Sequence, residues 1–438
     1  MARVRRKATR PLQINPFKLS APMGATLAFL GVHQCLPLMH GGQGCAGFTK
    51  VFFTRHFAEP IALQTTAVTD VTAILDGGDY SISESVRNIR KKITPALIGL
   101  CTTGLTETKG DDVSGVAARL DVPLVYVNTP DYEGGLEQGW SAACSAMIRQ
   151  LTRPCSRVDD NRLVLLPHVS LTPIEVEKIS DLIAAFGFNV VVLPDLSSSL
   201  DGHLGEKQAA LSSGGTRLEQ IHDLAGAGLV ISVGASMIPC AMELLKKNSL
   251  MRHHHVPHLA GLNATDQFVR LLLDETGFQT PPASVRRWRA RLQDALLDCH
   301  FALGKVRVAV TGEPDMLAAL CALIGEAGGT VAAVIAATDS PALDQVRAAR
   351  ILVGDLGDAE DLAADYDLII GGTHVDSLAG RHGKGMLLRG FPNWEQLGNQ
   401  LVFDCLYEGG AYFLCALANA AQQQHHDHRT PCNASPVA

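Results

Sequence analysis

Eleven cysteines and sixteen histidines are the residues of this 438-residue chain best suited to thiol or metal chemistry. No two cysteines stand as C-x-x-C, so neither a disulfide framework nor a self-contained zinc or ferredoxin motif is indicated. One cysteine has a distinctive setting. His40-Gly41-Gly42-Gln43-Gly44-Cys45-Ala46-Gly47 follows an apolar run and opens a helical pattern, which puts Cys45 at a helix start. There the helix dipole and free backbone N–H groups favour a thiolate, the form that ligates metal. The backbone at Gly42 and Gly44 could approach the sulfides of an iron–sulfur cluster and shield it. A free cysteine is equally a small hydrophobe at home in a core, and one cysteine cannot hold a four-cysteine cluster.

Other chemistries have weaker footing. Gly42, Gly44 and Gly47 satisfy G-x-G-x-x-G, but the acidic residue that a dinucleotide ribose needs about 20 residues on is matched only by Asp70, beyond the end of the next apolar run. His253-His254-His255 with His258, and His425-His426 with His428, lack a cysteine or carboxylate framework at zinc spacing and read as solvated loop and tail. Cys35 and Cys101 flank predicted strands; Cys144, Cys240, Cys299, Cys321, Cys405 and Cys415 read as core; Cys155 and Cys432 lie in polar segments. No G-x-S-x-G, Walker A or H-E-x-x-H sequence is present, and Thr311-Gly312-Glu313-Pro314 reads as a plain βα turn.

The elements that must position these residues follow from hydrophobic patterning. Short apolar runs recur, each closed by Gly, Pro, Ser or Thr and followed by a helical pattern, as in parallel βαβ units. A first group holds Leu36 to His40, Ile61 to Ala67, Ala96 to Cys101 and Leu124 to Asn128. A second opens with RLVLLPHVS, where Thr172-Pro173-Ile174-Glu175 predicts a capped helix start, and continues through Phe188 to Asp195 and Gly228 to Ser236. A basic helix, Val285 to Leu303, leads to a third group beginning at KVRVAVTGEPD. The expected fold is α/β: three Rossmann-like domains with parallel sheets flanked by helices. The boundaries are a flexible basic tail 1–15, domains 16–158 and 159–280, a linking helix 281–303, a third domain 304–396, a helical segment 397–421 and a flexible tail 422–438.

The composition is 47% hydrophobic and only 18% charged, with a net charge of -7, which argues against nucleic acid or an anionic membrane as partner. A protein partner covering part of the surface, and a reduced cytoplasmic setting, are the expectations. Leu19 to Thr49 carries no formal charge over 31 residues, yet holds Pro22, Pro37 and six glycines, so it is no transmembrane helix. It must be buried against this chain, a cofactor or another subunit.

Taken together, APMGATLAFLGVHQCLPLMHGGQGCAGF, TRHFAEP, TTAVTDVTAILDGGDYS, CTTGLTETKGDD, HFALGKVRVAVTGEPDMLAAL and RGFPNWEQL resemble the nitrogenase component 1 family over nearly the whole chain. The resemblance implies three Rossmann-like domains, metal–sulfur clusters and an α2β2 assembly of related subunits. In the family's catalytic β subunit three cysteines ligate a large cluster. Their contexts here hold Ser20, Cys45 and Gly104, with Cys101 displaced by three residues. With two ligands lost, the chain is similar to the β-like subunit of the family's cofactor-assembly scaffold, not to a catalytic subunit with independent turnover. The resemblance then implies a [4Fe-4S] cluster shared with a NifE-like partner that supplies three cysteines, with Cys45 as the fourth ligand. The iron–molybdenum cofactor precursor would be held mainly by the partner. Transient partners would be the nitrogenase iron protein and an upstream precursor donor. The alternative is an electron-transferring oxidoreductase subunit of the nitrogenase β or dark-operative protochlorophyllide reductase type.

Overall fold

The three groups of apolar runs become three sheets whose central strands are buried on both faces, which is why they read as unbroken apolar stretches. The computed structural model describes residues 4–6, 15–53, 61–68, 78–199 and 210–427. In the first sheet β2 (Cys35–His40), β3 (Gln64–Thr65), β4 (Leu97–Thr102) and β5 (Leu124–Val127) lie in the order β3-β2-β4-β5. In the second β6 (Asp159–Leu166), β7 (Asn189–Val192), β8 (Ala227–Val233) and β9 (Arg252–Val256) lie in the order β7-β6-β8-β9. The third takes β1 (Val4–Arg6), β10 (Arg307–Gly312), β11 (Thr330–Ala336), β12 (Arg350–Val353), β13 (Leu368–Gly371) and β14 (Gly385–Leu388) in the order β1-β12-β11-β10-β13-β14. Every pairing is parallel.

The charge-free stretch forms α1 (Ala21–Leu30), β2 and the first seven residues of α2 (Gln43–Phe53), which continues past Lys50. All ten residues of α1 are buried, as expected of a helix apolar on every side. It crosses α3 (Leu136–Leu151) at backbone distance: a Cβ on Gly139 would fall 1.8 Å from the Ala21 carbonyl oxygen, and one on Gly24 would fall 2.0 Å from that of Leu136. No side chain fits at either position.

Several expectations need correction. The strand expected over Ile61 to Ala67 shrinks to Gln64–Thr65. The segment still runs along β2, through Thr66 N–H to Met39 O and Val68 N–H to Gly41 O, but its apolar residues report burial and not a ladder. The basic start, expected to be a flexible tail, supplies β1, which covers the open edge of the third sheet by pairing Val4–Arg6 with Ile351–Val353. The Asn15 amide donates to Gly354 O, and Phe17 sits in the core of the third sheet. At the other end the tail expected from Gln422 is helical to Asp427 in α5 (Leu406–Asp427), whose Ala418 and Ala421 are buried. His253 to His255 lie on the edge strand β9 and not in a loop. His253 and His255 share the Ser232 hydroxyl, while His254 faces the other way to Glu275.

The capped start at Thr172 forms as read: its hydroxyl accepts from Glu175 N–H, and Thr172 N–H donates to the Glu175 carboxylate. The basic helix is α4 (Ala283–Leu303), which buries Leu292 and Leu303. The sheets do not have separate cores. One apolar cluster joins the second and third sheets, and another joins the first and second across α1 and α3. Among the described residues no helix is long and apolar enough to cross a membrane.

Candidate metal-ligand surface around Cys45

Strand β2 delivers its last residue, His40, into a buried clamp. His40 Nδ1 bonds the Thr66 hydroxyl at 2.8 Å and Nε2 bonds Asp111 Oδ2 at 2.9 Å. Its carbonyl accepts from the Thr103 and Thr106 hydroxyls, both at 3.0 Å. Burial holds the imidazole below the usual histidine range, against the pull of Asp111. With its end pinned, β2 passes through Gly41 and Gly42 into α2, and Cys45 lies in the first turn.

Here the charge-free stretch changes character. Cys45 and Gly44 are exposed, as are Phe48 and Val51, at 63% and 62% of their surface. Nothing in the chain crowds Gly44 or Gly47. Cys45 N–H donates to Gly42 O, and its carbonyl accepts from the Thr49 hydroxyl. The thiolate expected from the helix start is not favoured by the chain alone. Partial desolvation pushes the thiol up, Asp131 adds to this, and backbone hydrogen bonds at Gly42 and Cys45 offset only part of it.

The other two positions of the resemblance are Ser20 and Gly104, and Asp131 links the second of them to Cys45. Ser20 is the N-terminal cap residue of α1, and its side chain makes no capping bond. Cys101, at the end of β4, is buried beneath α1 with its sulfur 3.9 Å from Pro22 O and from the Thr26 hydroxyl; burial pushes it up to about 12. It cannot stand in for the missing ligand at Gly104. Gly104 N–H instead donates to Asp131 Oδ2 at 3.1 Å, and a Cβ there would lie 3.4 Å from that oxygen. Leu105 and Tyr132 beside them are exposed. Sequence reading missed Asp131, whose one signal is its place just after the carboxyl end of β5.

From the exposed surface α2 leads inward. Phe48 packs on Phe52 (4.7 Å between ring centres), Phe52 on Trp394 (5.3 Å), and Trp394 on His374 (6.2 Å), while Phe53 meets Phe391 at 5.6 Å.

The alternative chemistries are not assembled. Gly44 and Gly47 lie inside α2, neither has a positive φ, and Asp70 lies outside the described residues. Among the described residues no group of three His, Cys, Asp or Glu could hold a metal ion. The histidine side chains from His425 onward, TRHFAEP and Cys432 lie outside them too. Cys415, read as core, is exposed on α5, and Cys45 is the other exposed cysteine among those described.

The model of the nitrogenase component 1 type oxidoreductase family matches residues 20–422. The nitrogenase iron-molybdenum cofactor biosynthesis protein NifN of Rippkaea orientalis is 38% identical over 96% of this chain and 96% of its own. The NifN of Rhodobacter capsulatus is 37% identical over 95% and 93%, and that of Klebsiella pneumoniae is 34% identical over 98% and 96%. Of solved structures, a nitrogenase Cp1 chain at pH 6.5 superposes with a TM-score of 0.91 at 26% identity, covering 99% of this chain and 98% of that one. A chain of nitrogenase Cp1 at pH 5, 14% identical with a TM-score of 0.74, shares the fold.

Proposed function

This chain belongs to the nitrogenase component 1 family, and from that premise we propose that it is the β-like subunit of a scaffold for building the nitrogenase iron–molybdenum cofactor. The role is the one its NifN relatives are named for. Its partner is a NifE-like subunit in an α2β2 assembly, and the two share a [4Fe-4S] cluster to which this chain contributes Cys45. The nitrogenase iron protein docks transiently, and a donor protein delivers the precursor that the partner holds.

The observation that carries this reading is an exposed cysteine on a charge-free helix start, with Phe48 and Val51 exposed on the same helix and Leu105 and Tyr132 exposed next to Gly104 and Asp131 in sequence. Isolated apolar side chains on a surface are ordinary; several around one thiol favour a covered site. The donor set fits a shared cluster and not a self-contained one, because among the described residues no group of three His, Cys, Asp or Glu could hold a metal ion. A bound [4Fe-4S] cluster would supply one-electron storage. The chain's own residues do the rest. Cys45 presents one sulfur and gives up its proton only when iron is there to stabilise the thiolate. The His40 clamp fixes where that sulfur stands, Gly44 and Gly47 leave the approach open, and Phe48 and Val51 exclude water once the partner covers them. Asp131 occupies the side where a catalytic β subunit would place a cysteine, which speaks against the electron-transferring alternative.

The test is to co-express the chain with its partner, purify the complex without oxygen, and compare iron content and EPR signal with and without Cys45→Ala. Loss of the interface signal with the complex intact is the expected result, and unchanged iron would remove the ligand assignment. The isolated chain is expected to bind little iron; a stoichiometric four-iron cluster on it would contradict the shared site.

A further inference from the structure

An internal cavity lies outside the carboxyl ends of β6, β10, β13 and β14, with about 110 Å³ open to the centres of water-sized spheres. Its position is where α/β sheets gather ligands. In the second sheet β6 has β7 on one side and β8 on the other, and in the third β10 has β11 on one side and β13 on the other. Connections therefore leave in opposite directions and open a crevice at each point. The cavity faces both.

Six of the residues that line it each carry a buried side-chain atom with no hydrogen-bond partner: His168 Nδ1, Ser170 Oγ, His258 Nδ1, Glu313 Oε2, His374 Nε2 and Asp404 Oδ1. His168, Glu313 and Asp404 are only 3%, 7% and 8% exposed. A buried polar atom left unpaired is costly, so their gathering around one cavity points to a guest. The six have a common chemistry. Imidazole nitrogen, carboxylate oxygen and hydroxyl oxygen all offer lone pairs. The cation in the wall, Arg389, is already engaged, with Nε on Asp404 Oδ2 and a terminal nitrogen on Leu388 O. Behind the wall Glu137 adds another buried carboxylate, one oxygen accepting from Asp315 N–H and the other unpaired. The missing complement is positive charge surrounded by proton donors.

No three of these groups stand close enough to grip one bare ion. The ion must keep water, as Mg²⁺ and Mn²⁺ do, with metal-to-water distances of about 2.1 Å. A sphere of the cavity's volume has a radius of about 3 Å, which contains that first water shell. We propose that the cavity between the second and third sheets binds one hydrated divalent metal ion, its waters donating to Glu313, Asp404 and the three imidazoles. This site is separate from Cys45 and does not rest on the cluster reading.

The test uses Mn²⁺ alone as probe, added to the full chain in complex with its partner after dialysis free of divalent ions. Bound metal is counted by equilibrium dialysis and free Mn²⁺ by room-temperature EPR. The expected result is one Mn²⁺ per chain, weakened at least tenfold by Glu313→Gln and by His374→Ala, and unchanged by Glu219→Gln on the surface or by Cys45→Ala. His374 is only part-buried, so its variant decides the matter if Glu313→Gln fails to fold. No binding at millimolar Mn²⁺ overturns the site, leaving a cavity that holds water. Binding that both cavity variants leave untouched is an adventitious ion only, and overturns it equally.

Discussion

Helices α1 and α2 come from the same charge-free stretch and meet opposite fates. The first is buried on every side, its backbone pressed against α3 through Gly24 and Gly139. The second turns Cys45, Phe48 and Val51 outward and buries Ala46, Thr49, Phe52 and Phe53. Lack of charge therefore has two causes along one segment. In α1 it serves this chain's own core; at the start of α2 it leaves an exposed surface, the one the proposed function assigns to a partner.

That contrast can be broken by substitution. The largest effect is expected from Gly139→Val, which drives a side chain into the Ala21 carbonyl and costs about 3 kcal/mol or more of stability, measured by denaturant unfolding. A Gly139→Val chain as stable as the parent would mean that the α1–α3 contact is not close. Next, Phe48→Asp with Val51→Asp should cost no more stability than the Phe48–Phe52 ring contact supplies, yet weaken partner association at least tenfold, or by about 1.4 kcal/mol. Unchanged association would place the interface elsewhere. A smaller effect follows from Asp131→Asn. Without that charge the Cys45 thiol comes down, and alkylation near neutral pH should quicken roughly two- to fivefold. Equal rates in parent and variant would remove Asp131 from the site.

The smallest is a pH effect at His40. Its folded pKa is depressed, so below the unfolded value of about 6.5 the unfolded chain binds a proton that the folded one refuses. Stability present above that pH falls as the pH drops, by at most about 1.4 kcal/mol per pH unit for this one group. Thermal melts of the parent and of His40→Asn between pH 7 and pH 5 should show the variant with the shallower slope.

The sheets were legible because a parallel strand buried on both faces leaves a continuous apolar run, as in β2, β4 and β8. Cys45 was legible because a helix start after a strand is a local pattern. What escaped depends on distant segments meeting. Asp131 reaches Gly104 across 27 positions, and Glu137 reaches Asp315 across 178. Glu313 read as part of a plain turn and is a buried wall residue. The direction of the Cys45 thiol was misjudged for the same reason, since the helix start is visible in sequence while the partial burial and Asp131 are not. Strand β9 reads as a loop in sequence because this edge strand carries polar side chains on both faces.

Helix α2 has eleven residues, a rod of about 16 Å. Its first turn is an outer surface, and its last turn leans on Trp394 and Phe391, one touching the cavity residue His374 and the other in the cavity wall itself. A rod that is stiff along its axis cannot tilt at one end without moving the other. A partner on Cys45 and a guest in the interior, as proposed above, would lean on the same lever from opposite ends, and any preference for its angle at one end would return, with equal free energy, at the other.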